Sequence, residues 1–168
     1  MICTCTIDTP LGPMTAAALH GKLIGLWFVG QKHYPAAAQN WVSRSEYPVL
    51  VNLRSWIEGY FAGKGERFDL PLEPQGTPFQ KDVWKILLQV PPGNTITYGD
   101  IARQLAAERG VPSMSAQAVG GAVGRNPISI LIPCHRVIGA DGSLTGYAGG
   151  IDKKRALLQL EGATEVVL

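Results

Sequence analysis

The strongest constraint on the fold is a change of hydrophobic period part-way along the chain. Up to Val29 the apolar residues come in strand-like blocks. "ICTCTID" alternates loosely and ends at the turn "TPLG", "PMTAAAL" is closed by "HG", and "KLIGLWFV" is almost continuously apolar. Short blocks of this kind between Gly, Pro and His turns predict a β-meander with a buried third strand. "YPVLVNLRSWIEGYFAG" then switches to helical spacing. Leu50, Leu53, Ile57 and Phe61 share one face, and Gly63 supplies a stop.

The stretch "LPLEPQGTP", residues 70–78, holds three of the twelve prolines and reads as a linker. Beyond it the pattern is helical. "TPFQKDVWKILLQV" opens with Thr77 as N-cap, Pro78 at the first helical position and Gln80 three residues after the cap, a capping box with the favoured proline. "YGDIARQLAAE" follows with Ile101 and Leu105 inward, then the turn "RGVPSM", then "SAQAVGGAVG" opened by Ser115. Helix, turn and small-residue helix give the outline of a helix-turn-helix. "ISILI" reads as an apolar strand running into Cys134. After it, Asp141-Gly142 marks a turn in a loop with glycines at 139, 142, 146, 149 and 150. A last helix, "DKKRALLQLEG", is expected to be capped by Asp152 and stopped by Gly162. The expected division is residues 1–76 and 77–168.

Net charge is only +2. From Ser115 to Leu160, however, Arg125, Arg136, Lys153, Lys154 and Arg155 face only Asp141 and Asp152. That mild basic bias is compatible with a polyanionic partner and no more. Three cysteines exclude a complete disulfide framework. With a start that lacks a basic and apolar leader, this points to a reducing, cytoplasmic setting. No apolar run approaches the length of a membrane span.

Cys134 is the candidate centre. A free cysteine is most often a small buried hydrophobe. Here Pro133 and the polar pair His135-Arg136 interrupt the apolar run, and an imidazole and a guanidinium would stabilise a thiolate. A single Cys-His pair lacks the paired spacing of a zinc site. Cys3 and Cys5 fall on one face of a strand and are expected to pack, and His20 and His33 look like solvated turn residues. The glycines of "GGAVG" follow no strand of a βαβ unit and precede no Lys-Ser/Thr, so they are not read as a phosphate loop. Two chemistries stay open. One is a Cys-His hydrolase with His135 as base, oriented by Asn126 or Glu161. The other is transfer of an alkyl group to sulfur, which ends in a thioether and happens once.

With "NPISILIPCHRVIGADGSLTGYAGG", "AVGG" and "LLQLEG" in view, the sequence resembles the bacterial-type O6-alkylguanine-DNA alkyltransferases. The "TPLG" turn and the "FQ…VW" helix start extend the likeness over nearly the whole chain. The resemblance implies an N-terminal α/β domain, ribonuclease H-like, with a small antiparallel sheet plus helices. It also implies a mostly α, winged-helix-like C-terminal domain with a helix-turn-helix. Cys134 would accept the alkyl group of O6-alkylguanine, and of O4-alkylthymine. His135 would take the thiol proton through a water, Glu161 would orient His135, and Asn126 would brace the segment before the cysteine. Tyr98 would help rotate the base out and donate a hydrogen bond to it. Tyr147, Ala148 and Gly149 would wall the base pocket, and the carbonyls of Cys134 and Val137 would read the guanine amino group. Thr97, Tyr98, Ser115, Ala116, Gln117, Gly120, Gly121 and Arg125 would contact double-stranded DNA carrying alkylated bases, with the second helix in the minor groove. Gln117 stands where the family places an arginine that fills the gap left by the flipped base. No metal and no cofactor are expected, and no membrane partner. The protein is expected to act as a monomer able to cluster on DNA.

Overall fold

The computed structural model describes residues 1–65 and 67–164. Glu66 and the end of the expected C-terminal domain, 165–168, lie outside the described residues. The chain forms two compact units. The first is Met1–Gln75 with Pro127–Ser129, and the second is Gly76–Asn126 with Ile130 onward.

In the first unit, β1 (Cys3–Ile7), β2 (Met14–Leu19) and β3 (Lys22–Phe28) form the expected antiparallel meander. His20 and Gly21 join β2 to β3, both at positive φ, which is the two-residue turn that matches strand twist. The sheet is not purely antiparallel. β4 (Val42–Ser43) pairs parallel to β1, in the order β3-β2-β1-β4. A parallel neighbour needs a crossover; residues 29–41, including a 3-10 turn at Ala36–Asn40, provide it. Helix α1 (Pro48–Phe61) packs on the sheet and buries Val49, Leu50, Leu53, Ile57 and Tyr60. Phe61, expected on that face, is only half-buried, and Tyr60 takes its place. On the sheet, the Trp27 ring lies across Gly25, where a Cβ would come within 1.8 Å of the indole. Trp27 packs with Ala17 and Ile24. Cys3 and Cys5 are buried opposite Ala18 and Ala16 of β2.

The second unit is mostly helical. Helix α2 (Pro78–Leu87) begins with the capping box read from the sequence: Thr77 Oγ1 accepts from the Gln80 N–H, and Gln80 Oε1 accepts from the Thr77 N–H. Helix α3 (Tyr98–Arg109) has a second box, Thr97 with Asp100, and ends at left-handed Gly110. Helix α4 (Ala116–Gly124) is capped by Ser115 Oγ. The Trp84 indole N–H ties α4 to α2 through the Ala122 carbonyl, 2.9 Å away. Helix α5 (Ile151–Leu160) closes the unit. Two short parallel strands, β5 (Ile96–Thr97) and β6 (Val137–Ile138), pair Ile96 with Val137 and Thr97 with Ile138.

Two local expectations fail here. "ISILI" is buried, but it is not a strand. Ile128 makes one bridge to Leu26 and the chain then turns, with Ile130 at φ 72°. Apolarity reported burial, and burial does not require a strand. Asp152 does not cap α5, because Gly150 holds that position at φ 100° and Asp152 sits one step inside the helix. Among the described residues, no helix is long and apolar enough to cross a membrane.

Candidate active site

All the candidate catalytic side chains lie in the second unit. Cys134 opens a 3-10 turn, Cys134–Arg136, directly before β6. The Cys134 N–H donates to Ile132 O at 2.8 Å and the Arg136 N–H to Pro133 O at 3.0 Å. Consecutive side chains diverge by about 120° in such a turn. Cysteine, histidine and arginine can therefore be neighbours in sequence and reach three different surroundings. An extended chain would have sent the first two to opposite faces.

His135 is fully buried. Its Nε2 is 2.7 Å from Glu161 Oε2. Burial pulls its proton affinity below the usual histidine range, against the upward pull of Glu161. Burial would raise the Glu161 carboxyl, but Arg136 and His135 outweigh it and hold it well below the usual carboxylate range. A neutral imidazole facing a carboxylate must donate, so Nε2 carries the hydrogen. That leaves Nδ1 as the acceptor, and Nδ1 is buried with no hydrogen-bond partner among the described residues.

Arg136 departs from expectation. Its guanidinium does not serve the thiol. It grips Glu161 with two bonds, Nε to Oε1 at 2.8 Å and Nη2 to Oε2 at 2.9 Å, and donates from Nη1 to Val90 O at 2.6 Å. Such a bidentate pair fixes the carboxylate's plane as well as its charge. The influences on Cys134 are others. Burial pushes its thiol above the usual range, while a hydrogen bond from Asn126 and the charge of Lys154 pull it down. Asn126 also donates from Nδ2 to Ile132 O at 2.7 Å, tying it to the segment before the cysteine.

Lys154 was not foreseen as a site residue. It is fully buried. Its Nζ reaches the carbonyls of Val137 at 2.5 Å, Thr145 at 3.3 Å and Gly146 at 3.4 Å. Burial lowers its pKa to about 8. A signal existed: Lys154, Leu157 and Leu158 are spaced i, i+3, i+4, which puts the lysine on the buried stripe of α5. In the sequence it counts only toward the mild basic bias of Ser115 to Leu160.

Tyr98, at the start of α3, has its hydroxyl 2.7 Å from Thr145 Oγ1. A Cβ at Gly120 would sit 3.7 Å from the Tyr98 ring, so α4 passes the tyrosine with room for no more than a small side chain there. Tyr147, Ala148 and Gly149 are half-buried in the loop before α5, two to four residues beyond Thr145. Val137 is buried, with its carbonyl on Lys154. Ser115, Ala116, Gln117, Gly121 and Arg125 are exposed on or beside α4, and Gly120 is half-buried. Thr97 serves as the α3 cap.

Residues 78–163 match the model of the 6-O-methylguanine DNA methyltransferase, DNA binding domain, and residues 2–74 match that of the same enzyme's ribonuclease-like domain. The chain belongs to the 6-O-methylguanine DNA methyltransferase family. A Mycobacterium tuberculosis member named methylated-DNA–protein-cysteine methyltransferase is 46% identical over 156 residues, covering 93% of this chain and 90% of that protein. A Methanosarcina acetivorans member of the same name is 44% identical, covering 93% and 96%. The crystal structure of the M. tuberculosis family member in complex with DNA superposes with a TM-score of 0.84 at 44% identity, covering 97% of this chain and 96% of that one.

Proposed function

We propose that this protein is a methylated-DNA–protein-cysteine methyltransferase that repairs DNA by direct reversal, moving the alkyl group of O6-alkylguanine, and of O4-alkylthymine, to Cys134. One observation carries the chemistry. A buried thiol shares a tight turn with a histidine whose Nε2 is locked on an ionised carboxylate and whose Nδ1 is free to accept a proton.

The thiol is protonated at rest, because burial raises it. His135 Nδ1 takes the proton through a water, and Glu161 stabilises the imidazolium without being protonated itself. The thiolate attacks the saturated alkyl carbon. A carbon–sulfur bond forms, the carbon–oxygen bond to the base breaks, and its electron pair leaves on guanine. Tyr98 hydrogen-bonds the leaving base, and the proton taken from the thiol ends on the restored guanine. The thioether is not cleaved by water, so each molecule acts once.

Two features support duplex DNA as the partner. The exposed face of α4 carries small side chains, which lets a helix lie close in the minor groove, and the buried thiol requires a base to be flipped out to reach it. Gln117, exposed in the first turn of α4, would fill the vacated stack. We assign the protein as a monomer able to cluster on DNA, in the reducing cytoplasm where three free thiols persist.

The test is incubation with a duplex bearing O6-methylguanine, followed by intact-mass measurement and peptide mapping. One methyl group on Cys134 per molecule, with guanine restored, is expected. Tight binding without a mass gain would instead make the protein a lesion sensor.

A further inference from the structure

The hydroxyls of Tyr98 and Thr145, forty-seven residues apart in sequence, lie 2.7 Å apart. Neither is needed to build the local structure. The α3 start is capped by Thr97 and Asp100, and Thr145 caps no helix. Thr145 is nonetheless firmly mounted, because its carbonyl and those of Gly146 and Val137 converge on the buried ammonium of Lys154. On the other side, the Tyr98 ring faces α4 at Gly120, where an added Cβ would lie 3.7 Å from it. The pair thus joins the start of α3 to the loop before α5.

Only one of the two hydroxyl protons can lie between the oxygens. If Tyr98 donates, its proton is spent on threonine. If Thr145 donates, the phenol proton is free to point elsewhere, and the phenol oxygen is stabilised as it gives that proton up. We propose that Thr145 is a positioning residue for alkyl transfer, acting through Tyr98. Its hydroxyl holds the phenol oxygen in place and, as donor, turns the phenol proton toward the leaving base. This assignment rests on the alkyl-transfer reading of the site. The Tyr98 titration fits the contact: burial raises the phenol, and the Thr145 hydrogen bond opposes it.

The experiment is single-turnover transfer from an O6-methylguanine duplex, with the maximal rate and the half-saturating DNA concentration measured separately. Thr145→Val keeps the shape and removes the hydroxyl, and Thr145→Ser keeps the hydroxyl. The expected result is a maximal rate about tenfold lower for Thr145→Val, the loss of one hydrogen bond felt in the transition state. The half-saturating concentration should be unchanged and Thr145→Ser should recover the wild-type rate. In a Tyr98→Phe background, Thr145→Val should add no further loss. A wild-type rate in Thr145→Val overturns the assignment. So does a double variant whose loss equals the product of the single losses, or a Thr145→Ser as slow as Thr145→Val. A wild-type protein that never methylates Cys134 would sink the underlying function instead, and is recognised because the reference arm itself is dead.

Discussion

Cys5 in β1 and Cys134 in the 3-10 turn are buried almost equally, 5% and 6% exposed, and burial raises both thiols. Each even has a cation whose charge acts on it, Arg54 for Cys5 and Lys154 for Cys134. The difference lies in what the neighbouring backbone can present. A strand places Ala16 and Ala18 opposite Cys5 and Cys3 and packs them. A tight turn sends the histidine and arginine that follow Cys134 to Glu161, while Asn126 holds Ile132 before it, each side chain with its own partner. In the proposed mechanism the thiol is made useful by a proton acceptor held in one orientation, not by depth or by a nearby positive charge.

The largest test of that contrast is removal of each sulfur. Cys134→Ser should abolish methyl uptake, while Cys3→Ser and Cys5→Ser should retain one methyl per molecule by intact mass. Uptake on Cys5 would end the distinction.

Next is the acceptor's orientation. Glu161→Gln should slow transfer roughly 10²–10³-fold, the range of general-base catalysis, whereas Arg54→Met beside Cys5 should leave the rate unchanged. The same change breaks a buried ion pair, so denaturant unfolding at pH 7 should show a loss of about 3–5 kcal/mol. It should also alter the response to acid. The folded-state pKa of Glu161 lies below its ordinary 4.5. Its contribution is therefore complete above that value and is lost as pH falls below it. Wild type should destabilise steeply there, and Glu161→Gln less so.

A smaller effect is expected from Asn126→Ala. It removes one of two donors to the Ile132 carbonyl, which keeps the Cys134 N–H, costing about 0.5–1.5 kcal/mol. It also removes a group that lowers the Cys134 thiol, so labelling by iodoacetamide should need a higher pH than in wild type. A profile shifted downward would contradict the assigned contact. The smallest effects belong to the sheet. Cys3→Ala and Cys5→Ala should each cost about 1 kcal/mol, a small deletion in a packed core, with no change in transfer rate.

Much of this architecture could be read from local chemistry. The Thr77 box, the Ser115 cap and the His20-Gly21 turn are set by residues within four positions of one another, and each is found as expected. The meander followed from strand-length apolar blocks. The parallel additions, β4 on β1 and β6 on β5, did not. Two-residue strands carry no period, and their pairing is decided by distant parts of the chain. The pairing of His135 with Glu161 was implied by likeness to a family, since twenty-six positions separate them. Arg136 was misassigned to the thiol because sequence adjacency says nothing about direction within a turn. Lys154 was hidden because a buried cation needs three carbonyls, and those come from backbone that any residue supplies.

The two-rung ladder of β5 and β6 has a consequence for how such chains can change in length. Ile96 and Thr97 stand directly before Tyr98, and Val137 and Ile138 directly after the cysteine turn. Tyrosine and thiol are therefore spaced by two rungs of backbone, whatever the chain does in the thirty-five residues between them. Insertions in the turn "GVPSM", residues 110–114 between α3 and α4, can accumulate without moving one reactive group relative to the other. A single residue added between Thr97 and Tyr98 would displace them at once.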